Sequence, residues 1–296
     1  MKKIVVVGGA GYIGSNIVDA FVERGEDVHV IDNLVGGKKE YVHPKASFYK
    51  VDIRNYSDIE DIIKGADTVF HLAALPRVQF SIEHPIETND VNVGGMVNVL
   101  VAANKGGARR VVYSASSSAY GDQEKMPLVE DMEANPLSPY GLQKYIGEMY
   151  CKVFSEIYNL EIVSLRYFNV YGSERMDPEG PYALVVGKFL KQKKEGTPLT
   201  ITGDGEQTRD FTHIRDVVKA NFLAMESSKV GKGEVINIGA GDNCSINRLA
   251  KIIGGEIEYI EARIEPKNTL ADNTKAKELL GWEPKVELED GIAELL

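Results

Sequence analysis

A glycine-rich segment directly after a strand-like run constrains the fold of this chain more than any other feature. Residues 4–7 are an unbroken β-branched run, which is typical of a strand buried on both faces. Residues 8–14 (GGAGYIG) follow with the spacing G-x-x-G-x-x-G, and a helical pattern of apolar residues begins at Ile13. In such a strand–turn–helix unit the backbone approaches a pyrophosphate, and the N–H groups at the helix start bind it. Glycine-rich turns also occur without a ligand, so the motif needs support from its context.

The end of the second strand-like run gives that support. Asp32 follows residues 28–31 and stands 18 residues after Gly14, close to the roughly 20 expected for an acid that binds a dinucleotide ribose. A carboxylate there accepts hydrogen bonds from both ribose hydroxyls and repels a 2′-phosphate. The next residue is Asn33 rather than arginine, so the sequence favours NAD, although Lys38 and Lys39 leave NADP open.

Strand-like and helical patterns alternate along the first part of the chain. The strand-like runs lie at 4–7, 28–31, 68–72, 110–113 and 162–166, and the helical patterns between them include 13–21, 59–63, 96–103 and 139–158. This alternation predicts an α/β protein with a Rossmann-type, doubly wound parallel sheet. The alternation weakens beyond Tyr171, which indicates a smaller C-terminal substrate-binding lobe. We assign residues 1–170 and 211–239 to the dinucleotide-binding domain and residues 171–210 and 240–296 to the lobe.

Composition excludes several classes of function. The net charge of −10 argues against a broad electrostatic surface for nucleic acid or anionic lipid. The chain has no run near the roughly 20 apolar residues that a membrane span needs. Cys151 and Cys244 form no CxxC pair and the histidines do not cluster, so we expect no metal site, no disulfide and a cytoplasmic location. His71, His213 and Trp282 are interpreted as structural.

A tyrosine and a lysine one helical turn apart supply a candidate acid–base pair. Ser138 and Pro139 suit the start of a helix, and Tyr140 and Lys144 then share one face of it. A phenol near its usual pKa of about 10 is a poor base at neutral pH. A neighbouring ammonium, together with a positive nicotinamide ring, would lower that pKa. Many helices contain this spacing by chance, so the pair alone is not diagnostic.

The segment 113–121 (YSASSSAYG) strengthens that interpretation. It follows a predicted strand at the carboxyl edge, where open α/β sheets bind ligands. A serine hydroxyl there can hydrogen-bond a reacting oxygen beside Tyr140. Ordinary loop serines would give the same pattern.

Further motifs follow in order along essentially the whole chain, and with them it resembles the UDP-glucose (UDP-galactose) and UDP-N-acetylglucosamine 4-epimerase family of extended short-chain dehydrogenases/reductases. These motifs are residues 32–34 (DNL), 52–53 (DI), 71–74 (HLAA), Asn92, 166–172 (RYFNVYG), 203–205 (GDG), 208–211 (TRDF) and 237–239 (NIG). Val7 departs from the family, which often has threonine there.

The resemblance implies a role for each matching residue. Tyr140 is the base, Lys144 tunes it and Ser116 is the hydrogen-bonding hydroxyl, with Ser118 as the fallback. Asn169 and Arg209 hold the UDP diphosphate, Glu265 approaches the uridine ribose and Thr269 borders the pocket for the C2 substituent. The implied NAD-binding residues are Gly8, Gly11, Tyr12, Ile13, Gly14, Asp32, Asn33, Asp52, Ile53, Leu72, Ala73, Ala74, Asn92, Ser114, Tyr140, Lys144 and Tyr167.

Within the family, the serine segment favours simple epimerisation. Related dehydratases and decarboxylases carry an acid at the position of residues 116–118, and this chain has three serines there. The implied reaction is transient oxidation at C4, rotation of the 4-keto sugar and hydride return, with NAD staying bound. Thr269 is small, so we expect an N-acetyl group to fit, and UDP-N-acetylglucosamine is a candidate substrate beside UDP-glucose.

Other functions remain open from sequence alone. The alternatives are a UDP-glucuronate 4-epimerase, a net NAD-dependent oxidoreductase of a sugar nucleotide, and a non-enzymatic nucleotide sensor on the same fold. The motif around Arg263 is one residue out of register with the family, so its role is not assigned. By analogy with relatives, the helices at 96–103 and 139–158 are expected to form a homodimer interface.

Overall fold

The computed structural model of the protein describes residues 1–176, 185–262 and 266–296. The strands are β1 (Lys3–Val7), β2 (Asp27–Ile31), β3 (Ser47–Tyr49), β4 (Thr68–His71), β5 (Arg110–Ser116), β6 (Glu161–Tyr167), β7 (Val170–Tyr171), β8 (Leu199–Thr202), β9 (Thr208–Asp210), β10 (Thr212–His213), β11 (Lys232–Ile238), β12 (Asn243–Ser245) and β13 (Ile257–Ile260). The α-helices are α1 (Tyr12–Glu23), α2 (Tyr56–Ile63), α3 (Val78–Glu83), α4 (Pro85–Asn89), α5 (Met96–Lys105), α6 (Pro139–Tyr158), α7 (Val185–Glu195), α8 (Ile214–Glu226), α9 (Ile246–Ile253), α10 (Thr274–Leu280) and α11 (Leu288–Ala293). A π-helical turn, Asp90–Gly95, joins α4 to α5.

Seven parallel strands form the central sheet in the order β11-β6-β5-β4-β1-β2-β3. The chain moves outward from β1 through β2 to β3, and then from β4 through β5 and β6 to β11. The order therefore reverses between β1 and β4, and a crevice opens there at the carboxyl ends of the strands. The predicted Rossmann-type, doubly wound α/β fold is confirmed.

Helices cover both faces of the sheet because its central strands are apolar on both faces. Ile4 and Val6 of β1 belong to the core beneath α1 and α8. Val5 and Val7 belong to the opposite core beneath α2, α5 and α6. All four side chains are fully buried, as the unbroken β-branched run predicts.

A separate apolar cluster marks the smaller lobe. Phe189 of α7, Leu199 of β8 and Leu249 of α9 lie at its centre and are fully buried. Three two-stranded sheets surround or adjoin it: β10 with β7, β12 with β9, and β13 with β8. The sequence division places residues 274–282 in the lobe, but Ala276, Leu280 and Trp282 pack into the main core against α8.

Two of the three residues interpreted as structural, Trp282 and His213, have structural contacts. Trp282 is buried and its indole N–H donates to the Asp216 carbonyl at 2.9 Å. The His213 imidazole accepts the Arg215 N–H at 3.2 Å and caps the start of α8. Of the helices that the structure describes, none combines the length and apolar composition needed to cross a membrane.

Candidate active site

A cleft of about 500 Å³ opens at the point where the strand order reverses. Its size is typical of a small-molecule or cofactor site. The residues proposed from sequence that line it are Gly8, Gly11, Tyr12, Ile13, Gly14, Asp32, Asn33, Ile53, Leu72, Ala73, Ala74, Ser114, Ser116, Ser118, Tyr140, Lys144, Tyr167 and Asn169. Residues far apart in sequence thus meet in one cleft.

The glycine loop forms one wall of the cleft. Gly8 has a φ of +86°, and a Cβ there would lie 2.5 Å from the Ala73 nitrogen. A Cβ on Gly14 would lie 2.2 Å from the Gly8 carbonyl oxygen, so the packing of α1 onto the turn requires glycine. Among the described residues, no side chain caps the start of α1 at Gly11. The N–H groups of its first turn are therefore available to an anion, as a dinucleotide pyrophosphate requires.

Asp32 joins the glycine loop to the segment after β2. Its carboxylate accepts the Ala10 N–H at 3.0 Å and the Leu34 N–H at 2.8 Å, one on each oxygen. Each oxygen keeps a further lone pair for a ribose hydroxyl. The Lys39 ammonium lies 3.6 Å from the centre of the Phe48 ring, outside the cleft lining, whereas Lys38 lines the cleft.

The start of α6 fixes the position of Tyr140. The Ser138 hydroxyl accepts the Gly141 N–H at 3.1 Å, which is the N-cap that the sequence predicts. The Ser81 hydroxyl of α3 accepts the Tyr140 N–H at 3.1 Å. Lys144 lies one turn further along α6 and donates to the Ser114 carbonyl at 2.7 Å. The helix therefore presents both side chains to the end of β5.

Burial decides the pKa values of this pair. Burial raises the pKa of Tyr140 to about 12, and a hydrogen bond with the Ser116 hydroxyl acts in the opposite direction. The sequence expectation of a lowered pKa includes the charge of a nicotinamide ring. The surroundings that the protein itself provides raise the pKa, because desolvation of the phenol outweighs the hydrogen bond with Ser116. Burial also lowers the pKa of Lys144 to about 8, although the nearby Glu148 carboxylate raises it.

Strand β5 delivers the serine hydroxyls. It continues three residues beyond the predicted end, because residues 114–116 pair with 165–167 of β6. The Ser116 hydroxyl donates to that of Ser118 at 3.0 Å and accepts the Ser118 N–H. A short hydroxyl network therefore ends at the Tyr140 phenol.

Four residues proposed from sequence do not line the cleft. Asp52 instead positions two residues that do line the cleft. Its carboxylate accepts hydrogen bonds from the Asn33 amide at 2.9 Å and from the Arg54 guanidinium at 3.0 and 2.8 Å. Arg54 and Asn33 keep the pKa of Asp52 well below its usual value. The Asn92 side chain is buried behind Leu75, and it accepts the Leu75 N–H and donates to the Leu75 carbonyl. Asn92 thus positions a lining residue and makes no contact with the cleft itself.

The other two lie in the smaller lobe, away from the cleft lining. Arg209 is buried and donates to the Thr208 carbonyl at 2.8 Å. The Thr269 hydroxyl accepts the Asp210 N–H at 3.2 Å. Glu265 and Arg263 lie outside the described residues.

Sequence reasoning missed several lining residues. They are chiefly Tyr41, Arg54, Val78, Glu87, Arg175 and Met176. Arg54 follows the motif at 52–53 directly and Arg175 follows Gly172 closely, so proximity to a motif was the available signal. Within the described ranges, no group of three or more histidine, cysteine, aspartate or glutamate side chains is placed to bind a metal.

The cleft fits an NAD molecule on three observations of this structure. The glycine turn leaves no room for side chains, the start of α1 lacks a side-chain cap, and the Asp32 carboxylate faces the same cleft. The phenol, ammonium and serine hydroxyl lie further along the cleft. This arrangement can bind a dinucleotide beside a group that exchanges a proton with a substrate hydroxyl.

Known proteins resemble the chain over nearly its whole length. Residues 4–239 match the model of the NAD dependent epimerase/dehydratase family. A putative UDP-glucose 4-epimerase of Methanocaldococcus jannaschii is 41% identical over 98% of this chain and 95% of its own. The crystal structure of Thermotoga maritima UDP-glucose 4-epimerase with UDP-glucose matches with a TM-score of 0.93 at 41% identity, covering 98% of this chain and 96% of that one. The UDP-N-acetylglucosamine 4-epimerase of Methanobrevibacter ruminantium, in complex with UDP-N-acetylmuramic acid, matches with a TM-score of 0.94 at 38% identity, covering 99% and 96%.

Proposed function

The chain belongs to the NAD-dependent epimerase/dehydratase family, and from that premise we propose that it is a UDP-sugar 4-epimerase. One observation carries the proposal: the Tyr140 phenol is hydrogen-bonded with Ser116 and lies one helical turn from Lys144, in the same cleft as the glycine loop. The phenol is the base and acid, the ammonium supports the phenolate, and the serine hydroxyl orients the reacting oxygen.

The reaction divides between cofactor and protein. Bound NAD supplies the hydride acceptor for C4 of the sugar and the positive nicotinamide charge that favours a phenolate. Tyr140 removes the proton of the 4-hydroxyl and returns it after the sugar has turned. With substrate bound, the single proton of the Ser116 hydroxyl turns from the Ser118 hydroxyl to this oxygen, and the Ser118 N–H, which Ser116 accepts at 3.2 Å, keeps the hydroxyl in place. Residues 116–118 hold no carboxylate that could take a second proton from C5, so elimination has no base there.

The substrate is held from the smaller lobe. We assign residues 171–210 and 240–296 to UDP-sugar binding, except that α10 and Trp282 belong with the main core. Asn169 lines the cleft, and its amide donates to the Asp210 carbonyl at 3.0 Å, which fixes its orientation. Arg209 and Glu265 complete the proposed diphosphate and ribose contacts, and reaching the diphosphate requires Arg209 to turn from the Thr208 carbonyl.

The sugar is the finer part of the proposal. We propose that the protein accepts UDP-N-acetylglucosamine as well as UDP-glucose. The resemblance puts Thr269 beside the C2 substituent, although it does not line the cleft in this structure. Its side chain is small and its hydroxyl is held against the Asp210 N–H, so it would leave room for an N-acetyl group there. Relatives of nearly equal similarity are named for each of these two substrates, which supports both.

The two free thiols, Cys151 and Cys244, are buried, and the reducing cytoplasm is the compartment that we propose.

A homodimer is part of the same proposal. Leu142, Met149, Val153 and Ile157 recur at intervals of seven and four residues on α6. All four are exposed, up to 67% for Ile157, although apolar residues on a helix normally face a core. A second copy of α6 would cover this stripe.

The direct test offers each sugar nucleotide separately. Purified protein is incubated with UDP-glucose, UDP-N-acetylglucosamine or UDP-glucuronate without added NAD, and anion-exchange chromatography with sugar analysis identifies the products. We expect the first two to be converted to their C4 epimers. Tyr140→Phe keeps the buried ring and removes only the hydroxyl, and it should lower the rate by about 10²–10⁴-fold. Conversion of UDP-glucuronate alone, or unchanged activity of Tyr140→Phe, would overturn the proposal.

A further inference from the structure

The segment Gly172-Ser173-Glu174-Arg175-Met176, here called the clasp segment, lies against α1. The Tyr12 phenol of α1 donates to the Gly172 carbonyl at 2.5 Å. The Asn16 amide, one turn along, lies 3.5 Å from the Ser173 hydroxyl. Burial raises the pKa of Tyr12 well above its usual value, so the phenol keeps its proton and remains a donor at neutral pH.

An ion pair continues this row of contacts. The Arg175 guanidinium lies 2.6 Å from the Asp19 carboxylate, and both side chains are only about one-quarter exposed, at 26% and 27%. Tyr12, Asn16 and Asp19 are spaced four and three residues apart, so they share one face of α1. The clasp segment therefore follows that face of α1 for two turns.

The backbone of the clasp segment is bent to reach α1. Gly172 has a φ of +100° and Ser173 a φ of +67°, which non-glycine residues seldom adopt. A Cβ on Gly172 would lie 2.4 Å from the His213 imidazole. The contacts of the clasp segment with α1 and its close packing against His213 hold the backbone in this conformation.

The clasp segment also forms part of the cleft wall. Arg175 and Met176 line the cleft, as do Gly11 and Tyr12 at the start of α1. The Arg175 guanidinium lies 5.8 Å from the centre of the Tyr41 ring, which belongs to the segment after β2. Arg175 thus connects the two walls, α1 on one side and the segment after Asp32 on the other.

We propose that the Asp19–Arg175 ion pair and the Tyr12–Gly172 hydrogen bond hold the clasp segment across the dinucleotide cleft and slow the release of NAD. The inference rests on the proposed function, in which NAD stays bound through turnover. The glycine loop, Asp32 and the clasp segment line one cleft, so a dinucleotide bound by the first two would lie beside the clasp segment. Its departure requires these contacts to open first. Asp19 and Arg175 are then retention residues, with no part in the chemistry at C4.

The test measures NAD release without any sugar. Wild type, Asp19→Asn, Arg175→Gln and Tyr12→Phe are loaded with radiolabelled NAD and chased with excess unlabelled NAD. We expect each variant to release NAD roughly three to ten times faster, the loss expected for one half-buried polar contact. The matched control is Arg248→Gln, which breaks an ion pair of the same 2.6 Å length to Glu289 far from the cleft, and it should release NAD at the wild-type rate.

A charge exchange separates a clasp from a direct phosphate ligand. The double variant Asp19→Arg/Arg175→Asp restores the pair with reversed polarity, and release close to the wild-type rate would support the clasp. Fast release from this double variant, with Asp19→Asn unchanged from wild type, would overturn it. A wild type that releases NAD as fast as the variants would also overturn it. A wild type that holds NAD but epimerises no sugar would contradict the proposed function and leave the clasp standing.

Discussion

At Tyr140, burial and a hydrogen bond act on the pKa in opposite directions. Burial raises the pKa of the phenol to about 12, and the hydrogen bond with Ser116 lowers it. The nearby ammonium of Lys144 is held by the Ser114 carbonyl at 2.7 Å. A phenolate at neutral pH therefore needs nearby positive charge, and Lys144, one helical turn along α6, supplies it from the same helix.

The charge on Lys144 gives a prediction for pH dependence. Burial lowers the pKa of Lys144 to about 8, so the ammonium is present below that pH and is lost above it. We expect kcat to fall on the alkaline side as pH rises through about 8. Lys144→Arg keeps its charge and should remove this alkaline fall, while Lys144→Met should lower kcat by about 10²–10⁴-fold at every pH. An alkaline fall in Lys144→Arg identical to that of wild type would contradict the assignment.

His71 gives a prediction for stability. Its imidazole is fully buried near Lys144, and burial lowers its pKa to about 3. Between pH 6.5 and 3 the unfolded chain binds a proton at His71 that the folded protein does not bind. The free energy of unfolding should therefore fall as pH falls through this window, by up to about 1.4 kcal/mol per pH unit from this group. Urea unfolding at several pH values measures how steeply the free energy of unfolding falls as pH falls. This dependence should be shallower for His71→Gln, and an unchanged dependence would contradict the role given to His71.

Residue types and spacing predicted which side chains meet, but not how they are held. The Tyr140–Lys144 spacing, Asp32 and the serine segment all lead to the cleft. The pKa direction of Tyr140 could not be predicted, because desolvation depends on the burial that the folded chain creates. Asp52 and Asn92 match family motifs, yet their polar atoms are engaged by Arg54 and Leu75, which only coordinates reveal.

At the scale of elements, a buried arginine caps the end of α8. The Arg110 guanidinium on β5 donates to the carbonyls of Ala224, Met225, Ser227 and Val230 at 2.6 to 3.0 Å. These are carbonyl groups at and just beyond the end of α8, which have no partner within the helix. The Arg110 side chain is only 3% exposed, so these hydrogen bonds connect the end of α8 to the sheet within the protein interior.

Loss of this cap should be costly. Arg110→Lys keeps the charge but cannot reach four carbonyls with one ammonium, and we expect it to lower the free energy of unfolding by about 2–4 kcal/mol. The neighbouring Arg109 is 38% exposed, pairs with Asp67 and Glu161, and donates to one carbonyl at this helix end, that of Met225 at 3.2 Å. Arg109→Lys is therefore the matched control, with an expected cost of at most about 1 kcal/mol. Chemical denaturation of both variants measures the difference. Equal losses would show that Arg110 has no special role.

The sequence predicted well those elements in which apolar residues recur at one regular spacing. Helix α6 runs from Pro139 to Tyr158 as its cap and apolar spacing indicate. Helix α8 and strand β11 were not predicted, since their patterns are polar in part and depend on partners in the main sheet. The end of β5 was placed three residues early, because its serines become strand only by pairing with β6.

At the scale of the whole molecule, the apolar stripe of α6 tests the proposed homodimer. Val153 is 41% exposed and lies between Met149 and Ile157. Val153→Glu would bury a charge in a covered stripe, so we expect a monomer in multi-angle light scattering where the wild type is a dimer. Lys219→Glu adds a carboxylate to the exposed face of α8 and should leave the mass unchanged. A dimeric Val153→Glu protein would place the interface elsewhere.

The arrangement of the domains was only partly predictable. The alternation of strands and helices specifies the main sheet, because each parallel connection needs a crossover. The lobe is assembled from short elements after Tyr171, and the return of α10 and Trp282 to the main core has no local signal. It depends on contacts such as the Trp282 N–H with the Asp216 carbonyl, 66 residues apart in sequence.

In the proposed reaction, C4 is inverted by removing and returning the same hydrogen. The measurement is the fate of deuterium at C4 of the UDP-hexose that the protein converts, without added NAD and followed by NMR of the product. We expect an inverted C4 that still carries deuterium. An inverted product whose C4 hydrogen comes from the solvent would contradict it.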